Sequence, residues 1–116
     1  MEITAFARNG VFSPKEIASV LHTTTEEVAS TVGLGKDAVQ RKDRVKSHKT
    51  QRRLREMVEI INKVTPRFGS ELMAYAWLRS TPLAGFSGWT AMQLIQDGKA
   101  DQVLQYVDAV DAGVHA

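Results

Sequence analysis

The sequence predicts an all-α fold, a compact bundle of six or seven short helices. Apolar residues recur at the spacing of an amphipathic helix, as in Leu54, Met57, Val58 and Ile61. Capping residues and glycines separate these runs at short intervals, and no segment alternates apolar and polar residues long enough to indicate a strand. A chain of 116 residues, 43% of them hydrophobic, can bury one core, in one domain or in two helical lobes that share it.

The first two helices each begin at a hydroxyl side chain. Ser13 is followed by a proline, which is favoured in a first helical turn because its missing N–H is not needed there. This pair predicts a helix over residues 14–21. Thr24 has Glu27 three positions later, which is the spacing of a capping box, and predicts a second helix over residues 25–32.

The middle of the chain contains a turn and two further helices. Gly33 supplies the turn, and a third helix that begins near Lys36 directs Val39 towards the core. A long apolar stripe then predicts a fourth helix over residues 50–64. Pro66 is expected to end it, because a residue that precedes a proline is disfavoured in the α region.

Three more helices are predicted in the last part of the chain. Ser70 opens a helix, and Thr90 with Gln93 forms a second capping box. Gly98 closes the helix that this box begins, since glycine favours helix C-termini. A final helix is predicted near residues 101–111.

Positive charge is concentrated in one segment, although the net charge of the chain is only +2. Residues 36–55 contain nine of the fifteen lysines and arginines and only two acidic residues, whereas residues 97–116 contain four aspartates and one lysine. This asymmetry indicates a polyanionic partner at one end of the molecule and a different partner at the other.

Residues 25–44 fit a helix-turn-helix template. The motif needs a small residue where its helices cross and a turn residue that tolerates positive φ, and Ala29 and Gly33 supply these. Lys42 lies where the template prefers an apolar residue, so the second helix is expected to be short or loosely seated. The predicted DNA-binding residues are Lys36, Gln40, Arg41, Arg44 and Lys46. The alternative is that the basic run is a solvated helix face.

Three segments follow one another in the C-terminal part of the chain: residues 77–83, residues 88–98, and a helix with Val103 and Val107 that stops at Gly113. In this order and spacing they resemble the Xre/MbcA/ParS antitoxins, a family that neutralises RES-domain toxins. The resemblance extends to the organisation of the whole chain. It implies a helix-turn-helix-like N-terminal bundle, placed here at residues 1–65, and a C-terminal toxin-binding domain at residues 66–116.

The resemblance also implies a function. Toxins with a RES domain act on NAD, by degrading it or by transferring its ADP-ribose, and the antitoxin covers their active-site cleft with its C-terminal region. Carried onto this sequence, the covering residues are Gly113, Val114, His115 and Ala116. Trp89 is a further predicted toxin contact, because an aromatic residue between a glycine and a helix cap is readily exposed. The other apolar residues of these helices are expected to form ordinary core.

Two alternatives to this hypothesis stay open. The chain can be a stand-alone helix-turn-helix regulator whose C-terminal helices dimerise, or a toxin-binding protein whose N-terminal bundle is purely structural. We expect the operator DNA of its own gene as a second partner. A homodimer or a hetero-oligomer with the toxin is the expected assembly, because a single helix-turn-helix contacts few base pairs.

Other functional classes have no support in the sequence. The chain has no cysteine, and His22, His48 and His115 are too scattered to predict a metal site. It has no phosphate-binding loop and no evident nucleophile, so we expect neither an enzyme nor a cofactor. No secretory signal and no membrane-spanning segment is predicted, which favours a cytoplasmic protein.

Overall fold

The structure, a computed structural model, describes residues 7–8 and 10–113 and consists mainly of helices. In these residues the helices are α1 (Pro14–Val20), α2 (Thr25–Thr31), α3 (Asp37–Gln40), α4 (Lys42–Val45), α5 (His48–Phe68), α6 (Glu71–Ser80), α7 (Ala91–Gln96) and α8 (Ala100–Asp111). An antiparallel pair of two-residue strands, β1 (Ala7–Arg8) and β2 (Val11–Phe12), precedes them. The predicted all-α class is confirmed, with eight helices in the described residues rather than six or seven.

The predicted N-cap residues of α1, α2 and α7 are confirmed, but the capping box predicted at Thr24 is incomplete, because the Glu27 carboxylate accepts from Thr23 Oγ1 and pairs with Arg79 instead. The Oγ atom of Ser13 accepts the backbone N–H of the residue three positions later, and Thr24 does the same. At the start of α7 the capping box is complete, because Thr90 Oγ1 accepts the N–H of Gln93 at 3.2 Å and Gln93 Oε1 accepts the N–H of Thr90 at 2.9 Å. Each cap satisfies a backbone donor that the helix itself leaves unpaired.

One apolar core runs through the molecule, and α5 forms its centre. The fully buried aliphatic side chains of α5 are Leu54, Met57, Val58, Ile60, Ile61 and Val64. They belong to a single cluster that includes buried residues of every helix except α3 and α4. Helix α5 crosses the predicted domain boundary between residues 65 and 66, and the division of the chain there stays a prediction.

The prediction that α5 ends before Pro66 is wrong, because the helix continues to Phe68. A proline lacks the N–H that would bond to the carbonyl four residues earlier, and its ring crowds that carbonyl, but only two residues of α5 follow Pro66 and have to accommodate the distortion. Thr65 is buried, and its Oγ1 donates to the carbonyl of Ile61 at 2.6 Å, which holds the turn in place. The helix ends where Gly69 adopts φ +87°.

The predicted third helix begins as expected but is only one turn long. It buries Val39 and then stops, because Arg41 takes the extended conformation with φ −88° and ψ 125°. Helix α4 continues from there for a single further turn. Residues 40–44 are all exposed, so no buried side chain holds the two turns in line. A groove of about 700 Å³ separates these turns from β2 and the start of α1.

The strand pair was not predicted, although the sequence carries a signal for it. Asn9-Gly10 lies between the paired residues, and this dipeptide favours two-residue hairpins. Only two residues pair on each side, which is too short for an alternating pattern. Gln51 of α5 fixes β2, since its side chain accepts the N–H of Phe12 at 2.8 Å and donates to the carbonyl of the same residue at 3.0 Å.

Arg53 joins the C-terminal ends of two helices that lie far apart in the sequence. Its Nη1 atom donates to the carbonyl of Val32, at the end of α2, at 3.1 Å. The same atom donates to the carbonyls of Ile95 at 2.6 Å and Gln96 at 3.3 Å, at the end of α7. Both helix ends carry partial negative charge, so the guanidinium satisfies their free carbonyls and stabilises their approach.

Gly33 lets these two helix ends approach each other. It has φ +77°, and a Cβ atom at this position would lie 3.2 Å from the Cα of Gln96. Gln96 in turn donates from Nε2 to the carbonyl of Ser30 at 3.0 Å. The glycine predicted for its positive φ is therefore also required by close packing against α7. These contacts and those of Arg53 are called the α2–α7 junction below.

We expect Gly33→Ala to destabilise the fold more than Gly98→Ala. Both glycines have φ +77°, but only at Gly33 would an added Cβ atom have neighbours within 4 Å. The left-handed conformation costs an alanine roughly 1–2 kcal/mol at either site. The clash with Gln96 adds about 1–3 kcal/mol at Gly33 alone. Urea unfolding of both variants measures the difference, and equal losses would show that the close approach does not constrain position 33.

Candidate functional site

Trp89 is an exposed aromatic residue held by an ordered backbone. Its side chain is 38% exposed, which confirms the prediction of an accessible aromatic at this position. The carbonyl of Trp89 accepts the N–H of Leu83 at 2.9 Å, and the next residue is the N-cap of α7. The ammonium of Lys99 lies 5.8 Å from the centre of the indole ring, within the range of a cation–π contact. The ring is therefore presented on a defined surface.

The loop between α6 and α7 packs against α8. Leu83 is buried at 3% exposure, and Phe86 meets Tyr106 of α8 edge to face with ring centres 6.0 Å apart. An isolated antiparallel bridge pairs Pro82 with Thr90 and closes the loop at its base. The loop thus sets the position of Trp89 relative to α8.

Helix α8 is tied to α5 near its C-terminal end. Lys63 Nζ lies 2.7 Å from Asp108 Oδ1, and Arg67 pairs with Asp111. The hydrogen bond to Asp108 raises the pKa of Lys63. Gly113 follows the helix, is exposed and has φ +74°, the left-handed conformation that is common just after the end of a helix. The predicted contact residues Val114, His115 and Ala116 lie outside the described residues.

The structure places the residues predicted to bind DNA on two separate turns. Lys36 and Gln40 lie at the ends of α3, Arg44 is in α4, and Arg41 and Lys46 flank α4; all are exposed. Gln40 Nε2 donates to Glu26 Oε1 at 3.2 Å, and Arg41 Nε is 3.6 Å from an oxygen of Asp43. These exposed contacts are weak, so the side chains can exchange them for phosphate or base contacts.

Comparison with known protein families identifies the C-terminal part of the chain. Residues 64–113 match the family model of the antitoxin Xre/MbcA/ParS C-terminal toxin-binding domain. This segment is similar to the C-terminal domain of the Xre/MbcA/ParS antitoxins. No curated protein and no solved structure matches the chain. The resemblance drawn from the sequence is confirmed, and the family supports an antitoxin role with a toxin as partner.

The family match spans α6, α7 and α8 with the end of α5, and it stops at Gly113. The expected core of this toxin-binding domain is confirmed for five of six residues: Leu78, Leu94, Ile95, Val103 and Val107 are buried. Trp77 is only half-buried and packs beside Phe68 with ring centres 5.8 Å apart. Trp89 and Gly113 are both within the matched segment and both exposed.

Two further apolar side chains of the toxin-binding domain face solvent. Leu72 is 41% exposed and Met73 is 56% exposed, while α6 buries Ala74, Tyr75 and Leu78. Their exposure was not predicted. Ala74 and Leu78 lie four residues apart and define the buried face of α6, and Leu72 and Met73 lie off this face. This helical spacing is the sequence signal from which their exposure could have been predicted.

The toxin-binding domain is joined to α2 by a buried hydrogen bond. Thr31 Oγ1 donates its proton to the carbonyl of Glu27 at 2.8 Å. The hydroxyl of Tyr75 lies 2.9 Å from Thr31 Oγ1 and therefore donates to Thr31 Oγ1. Burial raises the pKa of the Tyr75 phenol above its ordinary value of 10.0. Arg79 covers the Tyr75 ring at 5.2 Å and pairs with Glu27 at 2.6 Å. Helix α2 is thus held by α6 as well as by α7.

Two other kinds of site are absent from the described residues. No group of three or more histidine, cysteine, aspartate or glutamate residues in this part of the chain is placed to hold a metal ion. Among the same residues, no helix combines the length and apolar character needed to cross a bilayer. The matched family consists of toxin-binding domains and not of enzymes.

The raised pKa of Tyr75 predicts a loss of stability in alkali. The folded protein keeps the phenolic proton where the unfolded chain has lost it, so the unfolding free energy falls as the pH rises above about 10. Tyr75→Phe should lack this part of the decline. Near neutral pH the substitution should lower the unfolding free energy by about 1 kcal/mol, because it removes the hydrogen bond to Thr31.

Urea unfolding of wild type and Tyr75→Phe between about pH 8 and about pH 11 measures the effect as the difference between their curves. Lys63 contributes the same trend to both proteins and cancels. Tyr106→Phe removes the chain's other phenol and serves as the control. Parallel curves for wild type and Tyr75→Phe would contradict the prediction.

Proposed function

We propose that the protein neutralises a RES-domain toxin that consumes NAD or transfers its ADP-ribose, by covering the active-site cleft of the toxin with residues 113–116. The observation that carries this proposal is the match of residues 64–113 to the toxin-binding domain of the antitoxin family. The exposed positions Trp89 and Gly113 in that segment support it. Such a protein acts in the cytoplasm, where the toxin finds NAD.

The anchoring of α8 supports the role of the tail. Two ion pairs and the buried residues Val103 and Val107 hold the helix on α5 up to Asp111. The chain after Gly113 therefore starts from a fixed point, so part of the entropy cost of placing it in a cleft is already met by the fold. In this proposal Trp89 provides a second contact, an aromatic anchor of the kind that dominates binding energy at interfaces.

Deletion of residues 114–116 should abolish neutralisation while leaving toxin capture partly intact. Trp89→Ala should weaken capture by about 2 kcal/mol or more, roughly 30-fold in Kd. We would co-express each variant with the RES-domain protein of the neighbouring gene, follow growth and cellular NAD, and measure affinity by calorimetry. The control for Trp89→Ala is Trp89→Phe, which keeps an aromatic ring. The control for the deletion is replacement of residues 114–116 by Ser-Gly-Ser, which keeps the length of the tail. Full neutralisation by the deletion variant would refute the tail mechanism.

We also propose that the protein binds the operator DNA of its own gene, through Lys36, Gln40, Arg41, Arg44 and Lys46. Their exposure and the basic excess of residues 36–55 support this. The short helix α3 presents few side chains, so specific binding requires two copies, as a homodimer or within a complex with the toxin. The rival function, a stand-alone regulator, would leave the neighbouring toxin uncaptured.

Arg41→Gln with Arg44→Gln should weaken binding to the upstream DNA in a gel-shift titration, because two cationic contacts are removed. The matched control is Lys63→Gln with Arg67→Gln, which removes the same charge from the far end of α5. Indistinguishable titrations for the two double variants would exclude these arginines as DNA contacts. The N-terminal bundle would then have a purely structural role.

A further inference from the structure

A basic cleft lies beside the N-terminal half of α5, apart from the residues proposed to bind the operator. Its volume is about 610 Å³. The residues that line it are His48, Lys49, Arg52, Arg53, Glu56 and Gly98. Helix α5 supplies five of these six residues, and the turn after α7 supplies Gly98. The cleft therefore has one rigid, strongly basic wall.

The positive charge of this wall is not neutralised within the described residues. Lys49 and Arg52 are exposed, and neither has an ion pair with a described carboxylate. Glu56 is the acidic residue among those that line the cleft. Lys49 lies in the first turn of α5, which has no acidic residue, and a positive charge there is unfavourable for the helix dipole. An anionic ligand in the cleft would offset this cost.

Arg53 adds fixed hydrogen-bond donors to the cleft. Its Nη1 atom is used by the α2–α7 junction, which holds the guanidinium in one orientation. Arg53 is half-buried, and its Nε and Nη2 atoms donate no hydrogen bond to the described residues, so they remain available as donors. A guanidinium held in this way can donate to a phosphate oxygen without losing further side-chain entropy.

We propose that this cleft binds the phosphate backbone of duplex DNA. The inference rests on the proposed operator binding and adds a second contact surface to it, formed by Lys49, Arg52 and the open donors of Arg53. Helix α4 is held against the same helix that carries this surface, since Gln51 Nε2 of α5 donates to the carbonyl of Val45 at 2.8 Å.

The two surfaces have different tasks in this arrangement. Contacts to phosphates set the position of a protein on the duplex but carry no sequence information, whereas side chains in the major groove read the bases. The short turns of α3 and α4 offer few positions for firm binding. The rigid helix α5 supplies backbone contacts that compensate for their small footprint.

The test is the salt dependence of binding by Lys49→Gln with Arg52→Gln, compared with the control Lys63→Gln with Arg67→Gln. Each pair removes one lysine and one arginine from the same helix. Fluorescence anisotropy would follow binding of the full chain to the upstream duplex and to a shuffled duplex of the same composition. We expect the slope of log K against log salt to fall by about 2 for the cleft variant, one for each lost phosphate contact, and not for the control. The loss should be the same on both duplexes.

Four results would overturn the proposal. The first two are equal slopes of log K against log salt for the cleft variant and wild type, and a loss of affinity for the upstream duplex alone. The third is a cleft variant that loses toxin capture and keeps DNA binding. The fourth is a cleft variant whose unfolding midpoint is low enough to account for its weaker DNA binding. If Arg41→Gln with Arg44→Gln weakens binding and the cleft variant does not, only the cleft is excluded. If wild type binds neither duplex, operator binding is excluded as well. Toxin neutralisation is measured separately and is unaffected by either result.

Discussion

The fold depends on the meeting of two helix ends at one guanidinium. Arg53, which projects from the central helix, satisfies carbonyls at the ends of both α2 and α7. Free carbonyls at a helix end need a partner when they are taken out of water, and two such ends repel each other without a cation between them. Gly33 permits the approach, because any side chain there would meet Gln96. Helix α2 and the segment that matches the antitoxin family are therefore parts of one packed unit.

This arrangement gives α5 two roles along its length. Its 21 residues extend over about 30 Å. The N-terminal half carries Lys49 and Arg52 on the outside, whereas the C-terminal half carries Lys63 and Arg67, which hold the end of α8. The proposed DNA surface and the starting point of the proposed toxin-blocking tail are thus attached to the same rigid helix. Tyr75 and Arg79 hold α2 to the toxin-binding domain from a second side.

Local signals predicted much of the fold because they act over three or four residues. Capping at Thr90 and Gln93 needs only those side chains and the adjacent backbone, and it occurs as predicted. Pro66 shows where such reasoning fails: the proline disfavours the helix locally, but whether the helix continues past it depends on the buried contacts of the surrounding turn, such as those of Thr65. The short hairpin at Gly10 was missed because the alternation of a strand cannot be recognised over two residues, although Asn9-Gly10 was visible.

The sequence by itself determined the all-α class, the helix starts, the basic segment and the family of the C-terminal domain, because each depends on residue type and spacing along the chain. The exposure of Trp89 also followed from its neighbours, a glycine and a helix cap. Only the tertiary structure decided that Arg53 donates to the carbonyls of two helix ends while Lys49 and Arg52 stay exposed, although the three lie within five positions of one basic run. The sequence does not show whether a positively charged side chain contacts a carbonyl or water. That depends on the segments, distant in the sequence, that pack against the side chain.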